Sequence, residues 1–407
     1  MGGELPDGFT AGSKKQRRRR RRRKKKVTAE QIVASKYVHE WVFGCGASSS
    51  SDSENPSPPS PDRRVVFELH SHSNFSDGFY SPAALVERAH ANGVKVLALT
   101  DHDTMAGIPE AIETAHKFNM KIIPGVEIST VYSPGDELEG EEPLHILAYY
   151  GSCGPVMHGE MEGLLANIRD GRYLRAQKML VKLGELKMPL KLEDVVSKAG
   201  IGVAPGRVHV ARAMVEAGYV DNLKQAFSKY LYDGGPAYAK GSEPEADYVV
   251  RLICRTGGIA TLAHPWALKN PAFVIKSLKA AGLHAVEVYR SDGKLAGFSD
   301  LADKYGLLKL GGSDYHGRKA NNESDLGCVH LPVLDAFKFL KLALPIWRNV
   351  TSKILGNFVE NPSTADLRRI MGSNGLHLGL TNEEERQLAE LEITKLELSS
   401  KFPSAIG

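Results

Sequence analysis

From residue 64 onward the chain alternates short apolar runs with longer stretches whose apolar residues recur at helical spacing. The runs at 65–69, 95–99, 121–123, 144–149, 259–262, 285–289 and 308–310 have the length and continuity of buried strands. Amphipathic stretches such as 82–91 and 107–118 separate several of them. Alternation of this kind predicts a parallel sheet, and with about seven such units a closed barrel is the economical solution. Between the fourth and fifth runs, residues 157–256 carry Leu164, Ile168, Leu180, Leu183, Val195, Val196, Met214, Val215 and Phe227 at helix-like intervals. This stretch is expected to form an inserted helical subdomain over the barrel mouth. Upstream, Thr28 with Gln31 offers a capping box, and Ile32, Val33, Tyr37, Val38, Trp41 and Val42 give residues 27–46 a short apolar stripe that should dock on another surface, the main domain being one candidate. Residues 47–62 form a Ser/Pro linker that cannot build a core. The expected barrel spans 63–350, and 351–407 read as a polar helical tail, clearest at 382–398.

Composition narrows the class. The 407 residues are 42% hydrophobic and 25% charged, ordinary values for a protein with a sizeable core. No stretch approaches the roughly 20 apolar residues of a spanning helix, and the N-terminus lacks an apolar signal region, so neither membrane insertion nor secretion is expected. Cys45, Cys153, Cys254 and Cys328 are scattered, which argues against a disulfide framework or a Cys-based zinc module. The net charge of +4 hides an asymmetry. Residues 1–26 hold 12 of the 52 lysines and arginines against Glu4 and Asp7, leaving 40 basic and 46 acidic residues in the remainder. Ten adjacent cations, Arg17 to Lys26, repel one another and stay extended as a disordered arm. The arm suits an import receptor or RNA, placing the protein in the nucleus or cytoplasm, with 14–26 favouring the nucleus.

The chemistry lies in the histidines. His70 and His72 end the first run as an H-x-H, and alternate residues of an extended chain face the same way, so both imidazoles can meet one metal. Asp77 follows in a Ser-Asp-Gly turn. The second run ends at His102, flanked by Asp101 and Asp103, and the third is followed by Glu127. His145 begins the fourth, His264 follows the fifth, and Asp314 with His316 forms a D-x-H after the last. Each alone is weak, since a single strand-end histidine is more often structural. Together, nine such groups recur where strands meet loops, the rim at which barrel sites assemble. Without cations, so many buried imidazoles and carboxylates would be costly. Mixed nitrogen and oxygen donors suit manganese, zinc or iron, in a site of several ions.

These segments resemble the polymerase and histidinol phosphatase superfamily of metal-dependent phosphoesterases. The resemblance rests on H-S-H-S-N-F-S-D-G at 70–78, T-D-H-D-T at 100–104, P-G-V-E at 124–127, the His145 strand, A-H-P at 263–265 and G-S-D-Y-H at 312–316, and spans roughly 64–332. It implies a distorted (β/α)7 barrel holding two or three divalent metal ions, with manganese the leading assignment. His70, His72, Glu127 and Asp314 would hold the first ion, Glu127, His145 and His264 the second, and Asp77, His102 and His316 the third. The branch it most resembles comprises the nucleoside 3′,5′-bisphosphate phosphatases that also act as 5′-to-3′ exonucleases on short 5′-phosphorylated RNA. In that branch a helical insertion carries R-x-x-R and G-R-x-H, matched here by Arg172 with Arg175 and by Arg207 with His209. Two arginines three apart share a helix face and can grip a terminal phosphate. The implied substrate is a nucleotide or a short 5′-phosphorylated oligonucleotide, of RNA or DNA. Asp101, Asp103 or a water is left as the proton donor to the departing hydroxyl.

Three other readings compete. A phosphatase of a smaller monoester such as histidinol phosphate has no second phosphate for the arginines. An amidohydrolase usually bridges its metals with a carboxylated lysine, where this chain offers Glu127. A non-catalytic RNA-associated scaffold would not need every ligand position filled.

Overall fold

The computed structural model describes residues 27–44, 65–133, 141–200, 202–291, 293, 297–318, 323–360 and 369–370. The basic arm, the Ser/Pro linker and the segment 382–398 lie outside the described residues. In chain order, α1 (Ala29–Phe43) precedes β1 (Val66–Glu68), α2 (Pro82–Ala91), β2 (Val94–Leu99), α3 (Ile108–Lys117), β3 (Lys121–Tyr132) and β4 (Glu142–Tyr149). A helical excursion follows: α4 (His158–Glu185), α5 (Leu192–Ala199), α6 (Arg207–Glu216) and α7 (Leu223–Ala226). The chain then forms α8 (Ala246–Arg255), β5 (Ile259–Leu262), α9 (Pro271–Ala281), β6 (Ala285–Tyr289), α10 (Phe298–Lys304), β7 (Leu308–Gly311) and α11 (Val333–Glu360). Every expected apolar run is a strand.

The seven strands form one sheet in sequential order. The expectation of an all-parallel sheet fails at β4, which is antiparallel to both β3 and β5. The reason is loop length, because residues 133–141 are too few for the dozen or so that a parallel crossover needs. β3 is also longer than expected. Its first part pairs with β2 as far as Pro124, and its second part, from Gly125 onward, pairs with β4. The ends of β1 and β7 meet at the rim, where Ser71 bridges Tyr315 and the His72 N–H donates to the Tyr315 carbonyl at 2.8 Å. The segments that join there carry four of the candidate metal ligands.

Glu127 and Leu147 are cross-strand partners on one face of the sheet. That face carries charge at the rim and apolar side chains elsewhere: Val96, Ala98, Leu147, Tyr149, Ile259 and Ala285 pack with Phe339, Leu340, Ala343 and Trp347 of α11 and with Val38 and Val42 of α1. The other face packs against α2 and α3 through Leu97 and Leu99, and against α4 and α8 through Ile128, Ile146 and Leu262.

Three boundaries shift. α11 runs unbroken through residue 350, and Ile354, Leu355 and Phe358 are buried beside Val350 and Cys153, so the barrel does not end there. The insertion is narrower than 157–256, because the first turns of α4 (Met161, Leu165, Ile168) and all of α8 belong to the barrel core. The excursion's own core gathers Met179, Leu183, Val195, Val210, Met214 and Leu231. In α1 the Thr28–Gln31 capping box forms, yet Ala34, Val38 and Val42 are the buried residues, while Ile32 and Val33 face solvent.

Candidate metal centre

The rim gathers all nine candidate ligands. His70 Nε2 lies 3.2 Å from Glu127 Oε2 and 3.3 Å from Asp314 Oδ1, and His72 Nε2 lies 3.1 and 3.2 Å from the same two atoms. Glu127 Oε1 is 2.9 Å from both His145 Nδ1 and His264 Nε2, which are 3.3 Å apart. His316 Nε2 is 3.0 Å from Asp77 Oδ1. His102 stands between these groups, with Nδ1 3.3 Å from Glu127 Oε2 and Nε2 3.9 Å from Asp77 Oδ1. Donor atoms cluster as His70–His72–Glu127–Asp314, as His72–Asp77–His102–His316 and as His102–Glu127–His145. The grouping differs from the expected one in placing His72 and His102 each near two clusters and in leaving His264 outside the third, beside Glu127 and His145, while Glu127 is shared as expected.

Local backbone explains the convergence. Asp314 and His264 take positive φ of 54° and 28°, conformations that non-glycine residues seldom adopt. Gly312 is required where β7 leaves the sheet: a Cβ there would lie 2.5 Å from the His70 nitrogen and 2.8 Å from a Glu68 oxygen. Gly78 closes the Ser-Asp-Gly turn against the His72 carbonyl, 2.4 Å from where its Cβ would be.

The donor set fits cations. His70 Nε2, His72 Nε2, His102 Nδ1 and Asp77 Oδ1 are buried without a hydrogen-bond partner, although each lies close to the oxygens or nitrogens just named. They face a common point instead of one another. Atoms ligating one ion at about 2.1 Å stand about 3.0–3.4 Å apart, the spacing found here. The electrostatics agree. Burial alone would push the His70 imidazole down, but Glu127, Glu287 and Asp314 hold it well above its ordinary value. His72 is raised to about 10 against the same burial by Asp314 and Glu127. Burial opposes ionisation of Glu127, yet His102, His145 and His70 keep it well below the usual carboxylate range. The carboxylates therefore set up a field that demands positive charge.

The candidate proton donors are placed for a different task. Asp101 is buried and accepts the Ser73 N–H at 2.7 Å and the Ser73 and Ser76 hydroxyls at 2.6 Å, fixing the 70–78 loop. Asp103 is buried too, and accepts from the Ser129 N–H at 2.7 Å and from Arg172 Nε at 2.7 Å. Neither lines the cleft. Both oxygens of each carboxylate accept hydrogen bonds from neighbouring groups.

A cleft of about 1200 Å³ opens from Asp77, His102 and His145 and extends to Arg172, Arg175, Arg207 and His209. Arg172 spends Nε and Nη2 on Asp103 and Ser129, while Nη1 lies against Gly206. Arg175 pairs with Glu243 at 3.0 Å and Arg207 with Asp233 at 2.6 Å, and both guanidiniums approach the Tyr238 ring. His209 is lowered to about 4 by burial and by Arg212 and Arg172, so it is neutral. Its Nδ1 accepts the Gly206 N–H at 2.9 Å, which places the ring proton on the buried, unpartnered Nε2.

Three residues escaped sequence reasoning. Glu68 and Glu287 are fully buried beneath the rim, Glu68 accepting main-chain N–H groups from Ser313 and Gly327 and Glu287 touching His70 and His264. The available signal was a lone carboxylate inside an apolar strand run. Arg318, 3.0 Å from Asp77 Oδ2, gave none.

A barrel rim that gathers imidazoles and carboxylates beside an arginine-lined cleft is the architecture of a metal-dependent phosphoesterase. Comparison with known proteins agrees: the PHP domain family matches residues 68–260, and His264, Asp314 and His316 lie beyond that span. The chain is 35% identical over 261 residues to a 5′-3′ exoribonuclease of Haemophilus influenzae, covering 61% of this chain and 89% of the relative. It is 30% identical over 300 residues to a 3′,5′-nucleoside bisphosphate phosphatase of Chromobacterium violaceum, covering 71% and 97%. Among solved structures, a metal-dependent phosphoesterase from Bifidobacterium adolescentis aligns with a TM-score of 0.59 at 27% identity, over 68% of this chain and 96% of that one. A Chromobacterium violaceum structure described as an amidohydrolase with bound sulfate aligns at 0.58 and 28%, over 71% and 97%. The chain belongs to the PHP family of metal-dependent phosphoesterases.

Proposed function

We propose that this enzyme hydrolyses phosphate esters of nucleotides. It removes the 3′-phosphate of nucleoside 3′,5′-bisphosphates and releases mononucleotides 5′-to-3′ from 5′-phosphorylated RNA or DNA oligonucleotides. The observation that carries this reading is the single cleft running from the ligand rim to the arginines of the helical excursion. Relatives named as a bisphosphate phosphatase and as exoribonucleases support it.

His70, His72, Glu127 and Asp314 would hold one divalent ion, Glu127 with His145 and His264 a second, and Asp77, His102 and His316 a third, each imidazole serving one ion. Manganese is our first assignment, with zinc and iron suited to the same donors. Such ions lower the pKa of water and polarise a phosphoryl oxygen, which supplies both the nucleophile and the charge stabilisation. The chain's own residues do the orienting. A 5′-phosphate entering between Arg175 and Arg207 exchanges its oxygens for those of Glu243 and Asp233, and the neutral His209 donates its Nε2–H. Anchored there, the substrate presents its next phosphate to the rim. Arg172, locked to Asp103, keeps the excursion in register with the rim and adds Nη1 to the anchor. Whether only terminal oxygens or the rest of a strand lies beyond the scissile phosphorus then selects phosphatase or exonuclease action.

The test is a substrate panel assayed with added manganese: a nucleoside 3′,5′-bisphosphate, histidinol phosphate, and RNA oligomers with or without a 5′-phosphate. Preference for the bisphosphate and the 5′-phosphorylated oligomer is expected. Equal turnover of oligomers with and without the 5′-phosphate would refute the anchor. We further infer that residues 14–26 engage an import receptor or RNA and direct the protein to the nucleus, a reading supported by their ten adjacent cations.

A further inference from the structure

The geometry points to Glu287 as a positioning residue: we infer that it fixes the His70 ring and the His264 backbone together, and so sets the affinity of the metal centre. Glu287 lies in β6 and is 2% exposed. Its Oε1 is 3.1 Å from His70 Nδ1, and its Oε2 accepts the His264 N–H at 2.8 Å. These partners come from the segments just after β1 and just after β5, so one carboxylate ties together two parts of the rim.

Each contact has a chemical reason. His70 Nε2 faces Glu127 and Asp314, and a ring that offers Nε2 to a cation carries its proton on Nδ1. Glu287 Oε1 is the acceptor for that proton, which fixes both tautomer and ring orientation. His264 holds φ 28° and ψ 59°, and its N–H would otherwise be free to swing the imidazole away from Glu127. Both partners therefore donate. A carboxylate accepts at both oxygens, whereas glutamine accepts at one and presents an N–H at the other. Glutamine at 287 has the right shape and the wrong hydrogen-bonding pattern. Glu68 differs, since its hydrogen bonds go to main-chain N–H groups of His70, Ser313 and Gly327 and to no ligand ring.

This rests on His70 and His264 being ligands, so the experiment separates the two claims. Full-length wild type, Glu287→Gln and His70→Ala are stripped with chelator and titrated with manganese, reading free ion by electron paramagnetic resonance. Glu287→Gln is expected to bind at least one ion about 10- to 100-fold more weakly, with activity restored by excess manganese at unchanged KM. Wild-type affinity in Glu287→Gln together with loss in His70→Ala overturns the role of Glu287 alone. Wild-type affinity in both variants overturns the ligand assignment. If Glu287→Gln does not fold, the wild type decides. In zinc-loaded, 15N-histidine-labelled protein, with His70 identified by its loss in His70→Gln, the ring should carry its proton on Nδ1. A proton on Nε2 overturns the inference.

Discussion

At the residue scale, Asp314 Oδ1 stands 3.3 Å from His70 Nε2 and 3.2 Å from His72 Nε2, sharing both atoms with Glu127. Removing it leaves two buried imidazoles facing one carboxylate, so Asp314→Ala should lower turnover by at least about a hundredfold, as loss of an electrostatic anchor does. Steady-state kinetics at saturating manganese check this. Arg175 sits at the far end of the same cleft, where Arg175→Ala should raise KM for 5′-phosphorylated substrates by about tenfold or more and leave substrates without that phosphate unchanged. Gly312→Ala tests packing instead of chemistry. A methyl group 2.5 Å from the His70 backbone must push β7 away from β1, which should lower both melting temperature and manganese stoichiometry. Ligand candidates were legible at this scale because imidazoles at strand ends are conspicuous. The surroundings of Asp101 and Asp103 were not legible for a physical reason: the chain shows a carboxylate beside a ligand, and only the positions of Ser73, Ser76, Ser129 and Arg172 reveal the hydrogen bonds that its oxygens accept.

At the element scale, strand identity was legible because buried strands are continuous apolar runs, but strand direction was not. β4 reads like its neighbours in side chains, and its reversal follows from the short 133–141 connection, a matter of geometry that hydrophobic periodicity does not encode. The same limit misplaced the boundary at 350. The later part of α11 is polar outside and apolar inside, so it passed for a solvent-facing tail, whereas Ile354, Leu355 and Phe358 fill a small core with Cys153 and Ile370. A chain ending at residue 350 should therefore melt at a lower temperature than one ending at 370, and Phe358→Ala in the full chain should cost about 3 kcal/mol or more. Denaturant unfolding of the metal-loaded protein measures both. An unchanged midpoint for the truncated chain would return 351–370 to the status of a dispensable extension.

At the scale of the whole molecule, the charge divides into an arm of strongly positive sign and a remainder that is mildly acidic. The arm is separated from β1 by α1 and by the Ser/Pro linker, and α1 docks through Val38 and Val42 on the core shared with α11. Among the described residues, the imidazoles, carboxylates and arginines of the rim and cleft all lie after residue 65. Deleting residues 14–26 should leave kcat and KM for a nucleoside 3′,5′-bisphosphate within about twofold of the full chain. For long RNA the arm's cations add a counterion-release contribution that weakens steeply with salt, so association of the full chain should fall faster with ionic strength than that of the deletion. Mononucleotide turnover and RNA binding measured across a salt series separate the two properties. Collapse of mononucleotide turnover in the deletion would mean that the arm reaches the cleft and that catalysis and localisation are not carried by separate parts of the chain.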